Sequence, residues 1–530
     1  MRRRLTWGFT ALVTVLAMPM PAHSETGPEA SPKMHVAGID SASDPGGPRS
    51  TEVPRLVRPG SDLRPTTAGS QGSPSGEIGG ILAPTVLPPT FDGVPDLEIL
   101  SPADPTGALG LTHHLAAVNV HMAFYDRAGI ELDPPRRLRS LDDDLPAGVD
   151  DFDPKVVYDP YRQHFLLVFA SASSTQSFLS LVVIPEGSEA VTADWCVLHM
   201  SGDQVASNGK QLADYPMLGF TENRVTLTTN QFDYSDAPFA GGFQYVQIIS
   251  MRKTHLYDCM VSPVPIKVFS RTQTRDPDGS QAFTIVPTVS TGGAPTAQYM
   301  TSLDFNGATG KLILWRLKAV DGVLKLTKVS LGGGGMDYPP WGRQCGNTSG
   351  LNSKWDTGDL RLTSSFLDGA LGRLYTTTAI RGNIGAGAVE SVVRWWEVDP
   401  ASVLTDSDVT RTGRVGASGR DAAWPSIATD GDGKVWVNYA RAGVSECLAA
   451  YAGVIQPGAT GAASVLIHGG DGRYEYSAGS VERWGDYTAI SRDPLDPATM
   501  AAYGAYPIDD GVGGTATELW QQVIATLTDV

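Results

Sequence analysis

The chain lacks an excess of positive charge. Its 57 acidic residues outnumber 40 basic ones, for a formal net charge of −17. That balance excludes nucleic acid as a partner, because phosphate binding needs a basic face, and it speaks against an anionic membrane surface. Long hydrophobic runs are missing as well. The run LTWGFTALVTVLAMPM near the N-terminus falls short of the roughly 20 residues that cross a bilayer, and no later segment does better. Helical periodicity is scarce after residue 90, which excludes a helical domain. Cysteine is sparse, with four residues, no CxxC and no zinc-like spacing.

What is there begins with an export pattern. MRRR is a basic n-region, an apolar core follows, and AHS is a small-residue cleavage site, so residues 1–24 are expected to be a signal peptide. The protein is therefore expected to be secreted, either extracellular or periplasmic. Residues 25–88 carry Pro, Gly and Ser in runs such as SASDPGGPRS, cannot bury enough surface to offset their ordering entropy, and read as a flexible linker. The rest, residues 89–530, is ample for one large core. In an exported chain Cys196, Cys259, Cys345 and Cys447 are free to form disulfides, and the favoured pairing is Cys196–Cys259 with Cys345–Cys447.

Short strands rich in β-branched and aromatic residues fill that region: RVTLTTNQF, FLLVFA, KLILWRL, RLYTTTAI and KVWVNYA. Turn sequences such as NGATG, DGDG and DPDG separate them. Several segments repeat one grammar, a polar residue beside Pro or an aromatic, then strand, turn and strand. Copies start at Ala103, Asp153, Asp214, Gly358, Trp424 and Gly485, with a degenerate one at Ala297. Intervals of roughly 50 to 85 residues suit four-stranded blades with variable outer loops, so the expectation is an all-β chain folded as a single β-propeller of about seven blades. A pair of β-sandwiches would leave the recurring hairpin unexplained. ELWQQVIATL near the C-terminus reads as the third strand of the last blade, whose outer strand would come from within residues 80–100 and close the ring.

The motifs PADPTGALG, FDPKVVYDP, ADYPMLGFT, DTGDLRL, WPSIATD and RWGDYT together resemble a group of secreted bacterial propeller proteins labelled sialidase-like. The likeness spans nearly everything after residue 90. It implies the fold; it implies an activity only weakly, since propellers host many functions. A sialidase needs three arginines for the substrate carboxylate, a tyrosine nucleophile paired with a carboxylate, and usually turns of the form S-x-D-x-G-x-T-W. The nearest stretch, TDGDGKVW, has Gly431 where that turn has Asp and Val435 where it has Thr, and no Arg-Ile-Pro occurs.

In a propeller the starts of the innermost strands open onto one face. Asp104, Asp153, Asp214, Asp359 and Asp486 should therefore converge there, with Arg361 and Arg483 nearby. Crowded carboxylates need neutralising, and three means stay open: the arginines, a cation such as Ca²⁺ held by Asp104, Asp153 and Asp359, or raised pKa values at a catalytic pair, Asp214 and Asp486. Arg361, Arg483, Trp484 and Tyr487 are the candidate substrate-binding residues, although strand-start capping by the aspartates and inter-blade packing by the aromatics explain the same pattern. His113, His114 and His121 in THHLAAVNVH read as ordinary packing ahead of zinc binding. The acidic run of Asp142, Asp143, Asp144, Asp150 and Asp151 before Asp153 reads as a solvated loop or, more sharply, a Ca²⁺ site. Two functions follow. The first is capture of an extracellular polysaccharide or glycoprotein by a monomeric propeller through its channel-mouth face. The alternative is a carbohydrate-active enzyme, a glycoside hydrolase or polysaccharide lyase ahead of a sialidase, using the mouth carboxylates.

Overall fold

The computed structural model describes residues 84–529 and the pair Lys33–Met34, except 190–193, 206–210, 234–241, 260, 305–309, 333–335, 347–353, 386–387, 402–408, 477–480 and 510–515. The expected signal peptide and most of the expected linker lie outside the described residues.

Strands in this chain are buried on both faces, because each sheet is sandwiched between two others. They therefore read as continuous apolar runs instead of alternating ones. HFLLVFASA (His164–Ala172) and SFLSLVVIP (Ser177–Pro185) are examples, buried along nearly their whole length. Only an outer strand such as Val323–Leu331 alternates between exposed and covered positions.

The strands form four-stranded antiparallel arrays. Four stand as separate four-stranded sheets, a fifth carries the short Lys33–Met34 strand on its edge, and two more share a nine-stranded sheet. In the last case Val289–Thr291 pairs in parallel with both Gln211–Phe220 and Ser364–Asp368, bridging one array to another. The innermost strands are Thr106–Leu109, Asp150–Asp159, Gln211–Phe220, Phe283–Pro287, Ser364–Asp368, Asp421–Thr429 and Ala489–Arg492. Each packs against the next in this order, and Ala489–Arg492 packs back on Thr106–Leu109. The architecture is a β-propeller, closed on itself.

The closing array runs Ala489–Arg492, Met500–Pro507, Trp520–Thr528, Thr85–Pro95. Its outer strand begins at Thr85, so the ring takes in residues that the linker reading assigns to the spacer. The degenerate copy also needs correcting. Ala297–Leu303 and Leu312–Val320 are the second and third strands of their array, with Phe283–Pro287 inside them.

Between the arrays the core is aromatic. Trp195, Trp315, Trp355, Trp395, Trp396, Trp436 and Trp520 are all fully buried, and rings of this size dominate the energetics of a core. Two disulfides add covalent ties. Cys196–Cys259 joins the second array to the segment after Phe243–Arg252, with Cα atoms 5.4 Å apart. Cys345–Cys447 joins the loop before Ser364–Asp368 to Glu446–Ile455, with Cα atoms 4.6 Å apart. No helix among the described residues is long and apolar enough to cross a membrane.

Candidate functional site at the channel mouth

The starts of the inner strands share a backbone device. Asp104, Asp153, Tyr215, Thr284, Leu360 and Trp424 have φ values of 48°, 53°, 53°, 52°, 73° and 55°. An L-residue in this left-handed region costs about 1–2 kcal/mol, so neighbouring structure must hold it. Register shifts fall at the same places, between Phe152 and Lys155, Asp214 and Met217, Phe283 and Val286, and Ala423 and Ser426. Such bulges interrupt the ladder and leave an N–H without a strand partner.

The neighbouring array supplies that partner. Asp153 donates its N–H to Asn119 Oδ1 at 2.9 Å, Tyr215 to Asp153 Oδ2 at 3.0 Å, and Thr284 to Asn230 Oδ1 at 3.0 Å. Across the ring closure, Asp486 donates its N–H to Asp104 Oδ1 at 2.7 Å, while Asn119 Nδ2 donates to Asp104 Oδ2, also at 2.7 Å. The Tyr215 hydroxyl returns to the Asp486 carbonyl at 3.2 Å. RWGDYT thus leads into the strand Ala489–Arg492, and its Asp486 N–H is claimed by the array next door.

The same device aims carboxylates inward. One oxygen each of Asp104, Asp153 and Asp486 lies within 4.8 Å of the others. Asp214 and Asp359 join their electrostatic neighbourhood. All five aspartates expected at the mouth therefore meet there, but they are not equivalent. Asp104 is fully buried and both its oxygens accept hydrogen bonds. Asp153 spends one oxygen on Tyr215. Asp486 spends one on Arg483, at 2.7 Å. Asp359 is gripped at both oxygens by Arg361, at 2.8 and 2.6 Å, and so does not join Asp104 and Asp153 as the cation reading expects; Asp486 takes its place. Asp214, partly exposed, accepts no side-chain hydrogen bond and forms no ion pair among the described residues.

Burial raises the carboxyl pKa values. Asp104 rises to about 7, through burial and then the charge of Asp486. Asp153 rises well above its ordinary value, through burial and then Asp214, Asp104 and Asp486. Asp214 rises to about 6, through burial, with Arg361 opposing and Asp486 reinforcing. Lys155, which the sequence reading misses, is buried beside them. Its ammonium lies 4.6 Å from the centre of the Tyr487 ring, has no carboxylate partner among the described residues, and is lowered to about 8 by burial against the attraction of Asp104. Its position two residues after Asp153, at the start of the same inner strand, was the available signal.

Arg361 lies over the Tyr215 ring at 4.5 Å, and Arg483 leaves 40 % of its side chain exposed. Trp484 and Tyr487 are buried, at 3 % and 1 % exposure. Trp484 meets Tyr474 edge-on at 5.0 Å, and Tyr487 packs on Tyr215 at 4.9 Å. A stacking platform for sugar needs an open face, so burial favours packing for both. The three histidines do not converge. His114 Nδ1 meets the Tyr503 hydroxyl at 2.9 Å, and His121 lies 3.6 Å from Glu98. The acidic run is split: Asp143 is exposed, whereas its two ends turn inward. Asp142 is buried against Ser180 and His199, and Asp151 against Arg137 and the Arg139 N–H.

No family model and no curated protein matches the chain. Solved structures align loosely. An α-L-arabinanase from Penicillium chrysogenum is 14% identical over 68% of this chain and 95% of its own, with a TM-score of 0.32. A GH43 endo-arabinanase from Bacillus licheniformis is 13% identical over 57% and 95%, with a TM-score of 0.27. The WD40 domain of SCAP from fission yeast is 10% identical over 80% and 82%, with a TM-score of 0.31. Superpositions this weak carry no argument about activity, and the propeller architecture rests on the strand pairing described above.

Proposed function

We propose that the channel mouth is a carboxylate site acting on a neutral extracellular glycan, with Asp214 as general acid and Asp486, held by Arg483, as the second carboxyl group. The observation that carries this reading is the contrast between them. Asp214 has no side-chain hydrogen bond or ion pair among the described residues and a pKa raised to about 6, whereas Asp486 is fixed by Arg483 at 2.7 Å. Two neighbouring carboxyl groups in unlike environments divide naturally into acid and base, and an acid works best when its pKa lies near the operating pH. Arg361 and Arg483 each answer an aspartate, which favours an uncharged substrate over a sialic acid. Lys155 and Arg483 already stand against Asp104, Asp153 and Asp486, so the reading needs no Ca²⁺. The two disulfides support a secreted location.

The test is a depolymerisation screen of the full protein against neutral and acidic polysaccharides, reading reducing ends. Asp214→Asn and Asp486→Asn should each abolish turnover of whichever polymer is cut. Undiminished turnover in Asp214→Asn overturns the assignment. Glycan capture without chemistry is the second reading, favoured by the inter-array bonds of Asp104 and Asp153; it requires binding on a glycan array and no cleavage.

A further inference from the structure

At the opposite end of the inner strands from the mouth, a second group of metal-capable side chains joins the first two arrays. Thr106–Leu109 turns back through residues 110–112 into His113–Val118. In the second array, Asp159 pairs with His164 and His164 with Pro185, so Glu186 and Glu189 follow at the same far end. One donor atom each of His113, Glu186 and Glu189 lies within 4.8 Å of the others. His113 Nδ1 stands 2.9 Å from Glu189 Oε1 and 2.8 Å from Thr112 Oγ1.

Both carboxylates are held in place. Glu186 accepts the N–H groups of Leu111 at 3.1 Å and Thr112 at 2.9 Å, and the Thr112 hydroxyl at 2.5 Å. Glu189, whose side chain is only 5% exposed, accepts the Gly187 N–H at 3.0 Å. Neither glutamate forms an ion pair with a lysine or arginine among the described residues, so one imidazole faces two carboxylates. An independent observation points to something further between them. The Tyr158 hydroxyl is buried, with the residue 7 % exposed, and makes no well-formed hydrogen bond among the described residues. Its ring and Glu186 Oε2 converge on Gly110, where an added Cβ would lie 3.0 Å from Tyr158 Cε2 and 2.5 Å from Glu186 Oε2. A water on a bound ion would donate a hydrogen bond to that hydroxyl oxygen.

We propose that His113, Glu186 and Glu189 bind a divalent transition ion of the zinc class at this end of the propeller. One imidazole nitrogen and two carboxylate oxygens match its preference for mixed nitrogen and oxygen donors, and the two negative charges offset the ion's own. Three protein ligands leave a fourth position for water. The ion would strap the first array to the second, far from Asp214 and Asp486, so this inference stands or falls separately from the proposed activity.

The experiment uses the full chain stripped with chelator, titrated with ZnCl₂ by calorimetry and followed by thermal melting. One equivalent should bind and raise Tm. His113→Ala, at a partly exposed position, should keep the metal-free Tm and weaken Zn²⁺ binding by at least about tenfold, the loss typical even of a group that only supports a ligand. Glu189→Gln should do the same, while Asp153→Asn at the mouth should leave binding unchanged. Absence of Zn²⁺ uptake by the unaltered chain overturns the proposal. So does uptake that survives His113→Ala, or that is lost only in Asp153→Asn.

Discussion

Replacing Asp104 by Asn tests whether the mouth carboxylates serve the ring's closure or burden it. The backbone should tolerate the change, since Asn visits the left-handed region as readily as Asp. The hydrogen bonds will not. Asp104 accepts from the Asp486 N–H and from Asn119 Nδ2, and Asn119 is oriented by the Asp153 N–H that its oxygen accepts. An amide at 104 sets one NH₂ against another, and flipping Asn119 only moves the conflict to Asp153. One buried bond is therefore lost, costing about 1–3 kcal/mol. The charge works the other way. Because the folded state raises Asp104 from 3.8 to about 7, it binds this proton more tightly than the unfolded chain does. Stability from this group is full below 3.8 and falls as pH rises through about 7, by up to about 1.4 kcal/mol per pH unit. The substituted amide has no such proton to lose. The variant should be the less stable protein at pH 4, and its deficit should shrink or reverse by pH 8. Urea unfolding across that range reads both curves. Parallel curves for the two proteins would refute the assignment of Asp104 as a buried, proton-holding acid.

Other consequences are open to simpler assays. Replacing Cys345 and Cys447 together by Ser opens a closure 102 residues long and should cost about 4–5 kcal/mol by chain entropy, seen as a lower denaturation midpoint; an unchanged midpoint contradicts it. Tyr487→Phe removes a buried hydroxyl with no hydrogen-bond partner among the described residues, so Tm should hold or rise slightly, and a loss above about 1 kcal/mol would mean that the hydroxyl is satisfied. Trp484→Ala should destabilise by about 3–5 kcal/mol, as emptying a packed aromatic site does. If Asp214 is the acid, the alkaline limb of kcat/KM should fall near its raised value of about 6, and a rate flat from pH 5 to 8 argues against it.

The repeated hairpins were legible because blade strands are buried on both faces and their turns carry distinctive residues. Convergence of Asp104, Asp153, Asp214, Asp359 and Asp486 followed from their common place ahead of or within inner strands. What each carboxylate does there was not legible. It depends on bulges that hand an N–H to the next array, and on Asn119, which lies in a turn with no motif of its own. Lys155 escaped notice because a lysine in an apolar run looks like an edge residue until its neighbours are known. Phe283–Pro287 was passed over as an inner strand because its repeat has no acidic start; Thr284 takes the left-handed position and Asn230 reaches it from the previous array. His113 drew attention for the wrong company, since its neighbours Glu186 and Glu189 come from the second array.

The outer strand of the closing array also has a consequence in time. Thr85–Pro95 pairs with Trp520–Thr528, so a ribosome adding about 5–20 residues per second leaves the first waiting for about 20–90 s. Throughout that interval it is an unclaimed β segment beside growing sheets that could seize it. Its sequence, TVLPPTFDGVP, carries prolines at 88, 89 and 95 and an acidic residue at 92. Proline offers no N–H to a foreign ladder and charge discourages one. The correct partner accommodates the prolines with register shifts between Leu87 and Thr90 and between Asp92 and Pro95. A segment that must arrive early and dock last is thereby kept a poor match for every sheet but its own.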